Sequence, residues 1–262
     1  MKTNQNISNL ISNKLTEIEE SEGVRILHAV ESGSRAWGFP SPDSDYDVRF
    51  IYVRPVDYYL RLEKTRDVIE WQLDETLDIN GWDLQKAFRL LHGSNPTFFE
   101  WNQSPIVYRS TDLWTRMQGE FDRFFLLKPG LCHYLNMATN NFKDSPKGDE
   151  VKLKKYFYVL RPLLACRWIL HQKSPSPMLF SELVEAELDR ELVPFLDDLL
   201  QRKMISSELG VGARIPQLDA YIETSFAELD EIIRSLPRER KPDWSDLNAL
   251  FRDILLRCDT PR

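Results

Sequence analysis

A small α/β or α+β head followed by an all-helical tail is the layout the sequence predicts, and three observations predict it. Short runs rich in β-branched and aromatic residues, separated by turns, fill the first part of the chain. From Gly81 the spacing of apolar residues changes to a helical period. After about Asp112 almost every segment suits helix. The expected division is 1–112 for the head and 113–262 for the helical domain.

The elements follow in order. Ile7, Leu10, Ile11, Leu15 and Ile18 recur at helical spacing, predicting a helix from about Ile7 to Glu20, with Gly23 as its punctuation. Val24 to Val30 reads as a mostly buried strand. Asp45 to Val53 reads as a second. Between them Gly33 to Ser44 is dense in Gly, Ser, Pro and Asp and is expected to be loop. Val68–Trp71 and Leu77–Ile79 are weaker strands, joined as a hairpin around Leu73-Asp74-Glu75. Leu84, Ala87, Phe88 and Leu91 then mark a helix started by Asp83 and ended by Asn95-Pro96. Further on, Leu218, Ile222, Phe226, Leu229, Ile233 and Leu236 form one apolar stripe. Gly210-Val211-Gly212 reads as an interhelical turn.

Composition removes several classes. The 262 residues can bury a sizeable core, and 42% hydrophobic residues with seven Trp and fourteen Phe exclude a disordered chain. No apolar run reaches the roughly 18 residues of a membrane span, and Met1 to Asn13 has no apolar segment of a signal peptide. Cys132, Cys166 and Cys258 lack the spacing of a disulfide framework or a metal site. A reduced, cytoplasmic setting is the expectation. With 34 Lys and Arg against 41 Asp and Glu, the net charge of −7 speaks against extensive binding along duplex DNA. Charge is uneven, however. Lys147 to Lys173 holds Lys147, Lys152, Lys154, Lys155, Arg161, Arg167 and Lys173 against Asp149 and Glu150, as a basic helix that could face phosphates. Ser181 to Leu200 is correspondingly acidic.

Chemistry concentrates at Gly33-Ser34 and Asp45-Tyr46-Asp47. Side chains two apart on a strand share a face, so Asp45 and Asp47 point the same way. Two neighbouring carboxylates repel unless a cation lies between them, and hard oxygen ligands suit Mg²⁺ or Mn²⁺. The Gly-Ser turn brings backbone N–H groups and a hydroxyl to the same strand ends, a cradle for phosphate. A third carboxylate is wanted near an attacking hydroxyl. Asp78, in the alternating Leu77-Asp78-Ile79, is the best candidate, ahead of Glu70, Asp74 and Asp83. Arg35 is a candidate phosphate contact, as are Lys154, Lys155 and Arg161; Lys154 and Arg161 share a helix face, while Lys155 lies about 100° away. Tyr158 suits core packing better than base stacking. His28, on a strand, reads as a core histidine.

With a spacer of ten residues, Gly33-Ser34 followed by Asp45-x-Asp47 resembles the signature of the DNA polymerase beta-like nucleotidyltransferase superfamily. The stretches Glu31–Phe39, Asp43–Tyr52, Asp78–Lys86, Ser94–Thr97, Glu100-Trp101, Ser104–Tyr108 and Lys154–Pro162 are similar to the predicted nucleotidyltransferases called the RNA repair pathway DNA polymerase beta family. The resemblance implies an α+β fold with a minimal palm-like mixed sheet and flanking helices, then an all-helical domain. It implies that Asp45, Asp47 and Asp78 are catalytic and hold two metal ions, and that Gly33 and Ser34 cradle the β,γ-phosphates of an NTP such as ATP. Arg35, Lys154, Lys155 and Arg161 complete the expected nucleotide site. The reaction implied is transfer of a nucleoside monophosphate to a hydroxyl, with an RNA 3′ end as first acceptor. The alternatives are nucleotidylation of a protein or small molecule, and a nucleotide-sensing module without turnover.

Overall fold

A computed structural model describes residues 2–73, 76–143, 150–205 and 210–258. The chain runs α1 (Lys2–Glu22), β1 (Arg25–Glu31), α2 (Gly33–Ala36), β2 (Tyr46–Val53), α3 (Val56–Tyr59), β3 (Val68–Leu73), β4 (Leu77–Asp83), α4 (Leu84–His92), α5 (Pro96–Asn102) and β5 (Val107–Ser110). It continues through α6 (Asp112–Phe121), a 3₁₀ turn, α7 (Leu127–Lys143), β6 (Glu150–Lys152), α8 (Lys154–Gln172), α9 (Phe180–Glu187), α10 (Val193–Ile205), β7 (Val211–Ala213), α11 (Pro216–Ser235) and α12 (Ser245–Cys258). The predicted α+β class, a mixed sheet followed by helices, is what forms.

The sheet order is β3-β4-β2-β1-β5. Only β2 and β4 run parallel, and their register sets Asp47 beside Asp78 and Phe50 beside Gly81. Gly81 has to be glycine, because a Cβ there would stand 2.2 Å from the Phe50 ring. Apolar residues of opposite pleats bury on two sides. Val48, Phe50, Tyr52 and Ile79 face α1, whose Ile11, Leu15 and Ile18 are fully buried. Leu10, expected on that stripe, is 41% exposed, since Ile7 and Ile11 already take the inward positions four apart. Leu27, Val30, Ile51 and Val53 face α4, α5 and α6, and the C-terminal α12 returns to the same cluster with Leu247, Ile254 and Leu255.

Local chemistry explains the element ends. Asp83 caps α4 by accepting the Gln85 N–H at 2.7 Å, and its other oxygen accepts the Tyr59 hydroxyl proton at 2.8 Å. α4 ends at His92 with Gly93 as its C-cap, short of the expected Asn95-Pro96, which instead starts α5: Asn95 accepts the Thr97 N–H, and Pro96 occupies the first turn, where no N–H is needed. The expected loop after Gly33 holds one helical turn, α2. The expected interhelical turn at Gly210–Gly212 instead pairs as β7 with β6. The tip of the β3–β4 hairpin, Asp74-Glu75, and Lys147 lie outside the described residues.

The helical part closes around α8, buried on nearly all sides by α7, α9, α10 and α11. Phe39, just after α2, inserts into this core against Phe157 and Phe180. That insertion fixes the Gly-Ser turn of the head against the helices. Among the described residues no helix is long and apolar enough to cross a membrane.

Candidate active site

Gly33 adopts φ +60°, and a Cβ there would stand 2.0 Å from Oδ2 of Asp47. Only glycine lets that carboxylate lie against the turn. The turn is tied by Trp37 N–H to Gly33 O (2.9 Å) and Phe39 N–H to Ser34 O (3.1 Å). The Ser34 hydroxyl reaches Ser44 Oγ at 3.0 Å, closing the loop onto the strand that follows.

Asp47 is held at both of its backbone polar groups. Its N–H donates to Glu31 Oε1 at 2.8 Å, and its carbonyl accepts the Ser32 N–H at 2.8 Å. Glu31 is fully buried, and its other oxygen accepts the Tyr108 hydroxyl proton. Burial pushes the Glu31 carboxyl up to about 7, against the pull of those two hydrogen bonds. Burial also raises Asp47; Arg49 opposes that rise, and the Asp78 and Asp45 carboxylates add to it.

Arg49, two residues beyond Asp47 on the same face, places Nη2 2.8 Å from Asp47 Oδ1 and 2.6 Å from Asp78 Oδ2. Its Nη1 donates to the Asp78 carbonyl at 2.8 Å. Sequence reasoning missed this residue, although the alternation Asp45-x-Asp47-x-Arg49 would have placed it with the acids.

Asp45 and Asp47 form one wall of a cavity of about 360 Å³. Gly33, Ser34, Ser41, Asp43 and Ser44 complete that side. Facing them are Lys152 from β6, Lys154 and Tyr158 from α8, Lys203 from α10, and Gly210 and Val211. Lys203 Nζ donates to Ser41 Oγ at 3.4 Å and lies over the Phe39 ring. Burial draws its ammonium pKa down, partly countered by Asp43. Carboxylates on one wall and three lysines on the other suit a ligand carrying both phosphates and cations.

The expected residues separate. Gly33, Ser34, Asp45, Asp47 and Lys154 line the cleft, and Asp78 stands behind Arg49, in register with Asp47. Arg35 turns back onto its own loop, donating to the carbonyls of Asp45 (3.0 Å) and Ser44 (2.6 Å), with its guanidinium 3.7 Å over Tyr46. Lys155 is half-buried and does not line the cavity. For Arg161 the structure corrects the expectation: it is 2% exposed, paired with Glu100 at 3.0 Å, and lies under Trp37. It shares the Lys154 face but sits two turns deeper, where Met178 and Trp37 cover it. Tyr158, expected in the core, is 41% exposed on the cleft wall with its ring edge against Trp37. Lys152 belongs to the basic stretch expected to face phosphates, though it sits on β6 and not on a helix, whereas Lys203 comes from a segment where no local pattern marks it. Of the weaker carboxylate candidates, Glu70 pairs with Arg66 in solvent, Asp83 caps α4, and Asp74 lies outside the described residues.

Two of the three acids share one guanidinium, and Asp47 is raised first by burial and then by the Asp78 and Asp45 carboxylates, with Arg49 opposing. Their all-oxygen donor set matches a hard divalent ion. Among the described residues no three acid, His or Cys side chains converge tightly enough to hold one as they stand. The Arg49 guanidinium takes the space between Asp47 and Asp78.

The chain is 47% identical over 244 residues to the uncharacterized protein YcgL of Bacillus subtilis (strain 168), covering 92% of this chain and 94% of the relative. A crystal structure of a nucleotidyltransferase-like protein from Exiguobacterium sibiricum 255-15 aligns over 96% of this chain and 82% of its own, with 12% identity and a TM-score of 0.31. Residues 7–253 match the model of the RNA repair pathway DNA polymerase beta family, and with that span covered the chain belongs to this family.

Proposed function

We propose that the protein is a nucleotidyltransferase, moving a nucleoside monophosphate from an NTP onto a hydroxyl with release of pyrophosphate. One observation carries the reading. Asp45 and Asp47 face Lys152, Lys154 and Lys203 across a single cleft floored by the Gly33-Ser34 turn. In this reading the triphosphate lies along the lysines, with its β,γ-phosphates at the turn. Tyr158 offers an exposed ring on the same wall for the base. The acceptor oxygen attacks the α-phosphorus, and the bond from that phosphorus to the oxygen bridging it to the β-phosphorus breaks. The acceptor proton passes to Asp78, which lies in register with Asp47 behind the Arg49 guanidinium and becomes accessible once Arg49 moves. Asp45, Asp47 and Asp78 are the residues that would hold Mg²⁺ or Mn²⁺, and such ions, when bound, supply charge neutralisation and a more acidic acceptor hydroxyl. Arg49 would then have to give up its place between two of those carboxylates.

An RNA 3′ end is the proposed acceptor, supported by the family to which the chain belongs. The experiment incubates the full chain with each α-labelled NTP, Mg²⁺ or Mn²⁺, and RNA ending in either a free or a blocked 3′ hydroxyl. Label on the free-ended RNA, abolished in Asp45→Asn/Asp47→Asn, is the expected result. Label on the protein, or on a small molecule without RNA, would move the acceptor and keep the chemistry. NTP binding without pyrophosphate release would leave a nucleotide sensor in place of an enzyme.

A further inference from the structure

We propose that a second surface, formed by the start of α7, the connection from α11 to α12 and the end of α4, binds a single-stranded polynucleotide. Two cavities meet there, of about 670 Å³ and 440 Å³, with Arg240 and Lys241 lining both. Neither shares a residue with the carboxylate cleft, so this surface is independent of the nucleotidyl-transfer reading.

The cations on this surface are mostly uncompensated, although the Asp243 carboxylate feels Arg240. Arg238, Arg240 and Lys241 are exposed, and none makes an ion pair with the described residues. The two carboxylates among them are already engaged. Glu239 accepts the backbone N–H groups of Leu127 (3.1 Å) and Lys128 (2.8 Å), capping α7. Asp243 accepts the Ser245 N–H at 2.8 Å, at the start of α12. Lys128 anchors the edge by donating to the Leu236 carbonyl at 2.6 Å. A cluster of exposed cations outside ion-pair distance of any described carboxylate, in a chain of net charge −7, is a local, polyanion-directed feature.

An aromatic platform adjoins the cations. Trp244 stacks on His92 with ring centres 3.6 Å apart and planes 12° from parallel, yet remains 42% exposed. His92 is fixed beneath it by a 3.0 Å hydrogen bond between Nε2 and the Pro242 carbonyl. Cations that hold phosphates beside an indole that continues a stack are what unpaired bases need. A duplex keeps its bases inside and could use only the cations. An acidic peptide likewise leaves the indole idle.

The test is fluorescence anisotropy of the full chain with labelled oligo(U), oligo(dT) and a duplex hairpin over a range of salt, without NTP. Both single strands are expected to bind more tightly than the hairpin, and a preference for one of them names the sugar. Arg238→Glu/Arg240→Glu/Lys241→Glu is expected to weaken binding at least tenfold. The same variant should flatten the salt dependence by about 0.7 in slope for each phosphate it no longer neutralises. Trp244→Ala is expected to weaken binding about tenfold, and Trp244→Phe to restore most of it. Wild-type affinity in these variants would overturn the proposal. So would equal binding of the hairpin, equal competition by polyglutamate, or a weakening confined to Lys152→Glu/Lys203→Glu in the other cleft.

Discussion

Arg49 and Asp78 meet through a 2.6 Å contact between Nη2 and Oδ2, and the same nitrogen reaches Asp47. One guanidinium therefore neutralises two carboxylates on adjacent parallel strands. Arg49→Met should remove about 2 kcal/mol of stability, the scale of hydrogen bonds to charged groups. Thermal melting should show a fall of several degrees. Added Mg²⁺ should raise the melting point of the variant more than that of the wild type, because the freed carboxylates then seek another cation. Equal shifts in both proteins would count against a cation site at these acids.

Gly33→Ala is expected to damage both stability and turnover. The left-handed backbone alone costs about 1 kcal/mol for a residue with a Cβ. The 2.0 Å approach to Asp47 forces that carboxylate to move as well. Label transfer should drop at least a hundredfold while the melting point falls only moderately. A variant with wild-type turnover would dissociate the turn from the chemistry.

Lys152→Ala and Lys203→Ala should each raise KM for NTP about tenfold with a small change in kcat, since each removes one charged partner of a ground-state phosphate. Asp45→Asn and Asp47→Asn should instead remove turnover. Steady-state kinetics separate the two patterns.

The Arg161–Glu100 pair is buried and shared with the Tyr134 hydroxyl, which donates to the same Glu100 oxygen at 2.6 Å. Arg161→Met should cost about 3–5 kcal/mol, because it strands a buried carboxylate. Arg161→Met/Glu100→Leu should recover a large part of that in chemical denaturation. A loss of NTP affinity without a loss of stability would restore Arg161 to the nucleotide site.

His28 packs flat against Trp114, with ring centres 4.8 Å apart, and burial lowers its pKa to about 4. The unfolded chain takes up this proton near 6.5, whereas the native chain resists until about 4. Stability from this group is thus present above pH 6.5 and declines as pH falls towards 4, by about 3 kcal/mol in all. Glu31 and Asp83, both raised by burial, act in the opposite sense as pH rises. His28→Phe isolates the histidine: the difference from wild type should vary across pH 4–6.5 and be flat above it.

Gly33, Asp45 and Asp47 were legible because turn chemistry and strand alternation are local. Asp78 was legible as an alternating residue, but its register with Asp47 exists only once β2 and β4 pair. Helical spacing puts Arg161 with Lys154, and spacing holds; depth along α8 then decides that one is 2% exposed while the other lines the cleft. Tyr158 departs in the opposite direction, since α8 is apolar on almost every side and one exposed ring does not stand out. Lys203 reaches the site from more than 150 residues away, by the packing of α10 near Ser41. No pattern near Lys203 itself reports that distance. The three-residue pairing of β6 and β7 is too short to show any periodicity.

The seating of Phe50 on Gly81 governs how this chain tolerates change in length. It pins the parallel register three residues beyond Asp47 and Asp78. Residues added or removed between the end of β2 and the start of β3 should leave both acids in place. A single residue inserted between Asp78 and Gly81 would rotate Asp78 to the opposite face of the sheet. The interval that matters in this chain is thus the short one from acid to glycine, and an insertion lengthening the excursion around α3 should leave the cleft intact.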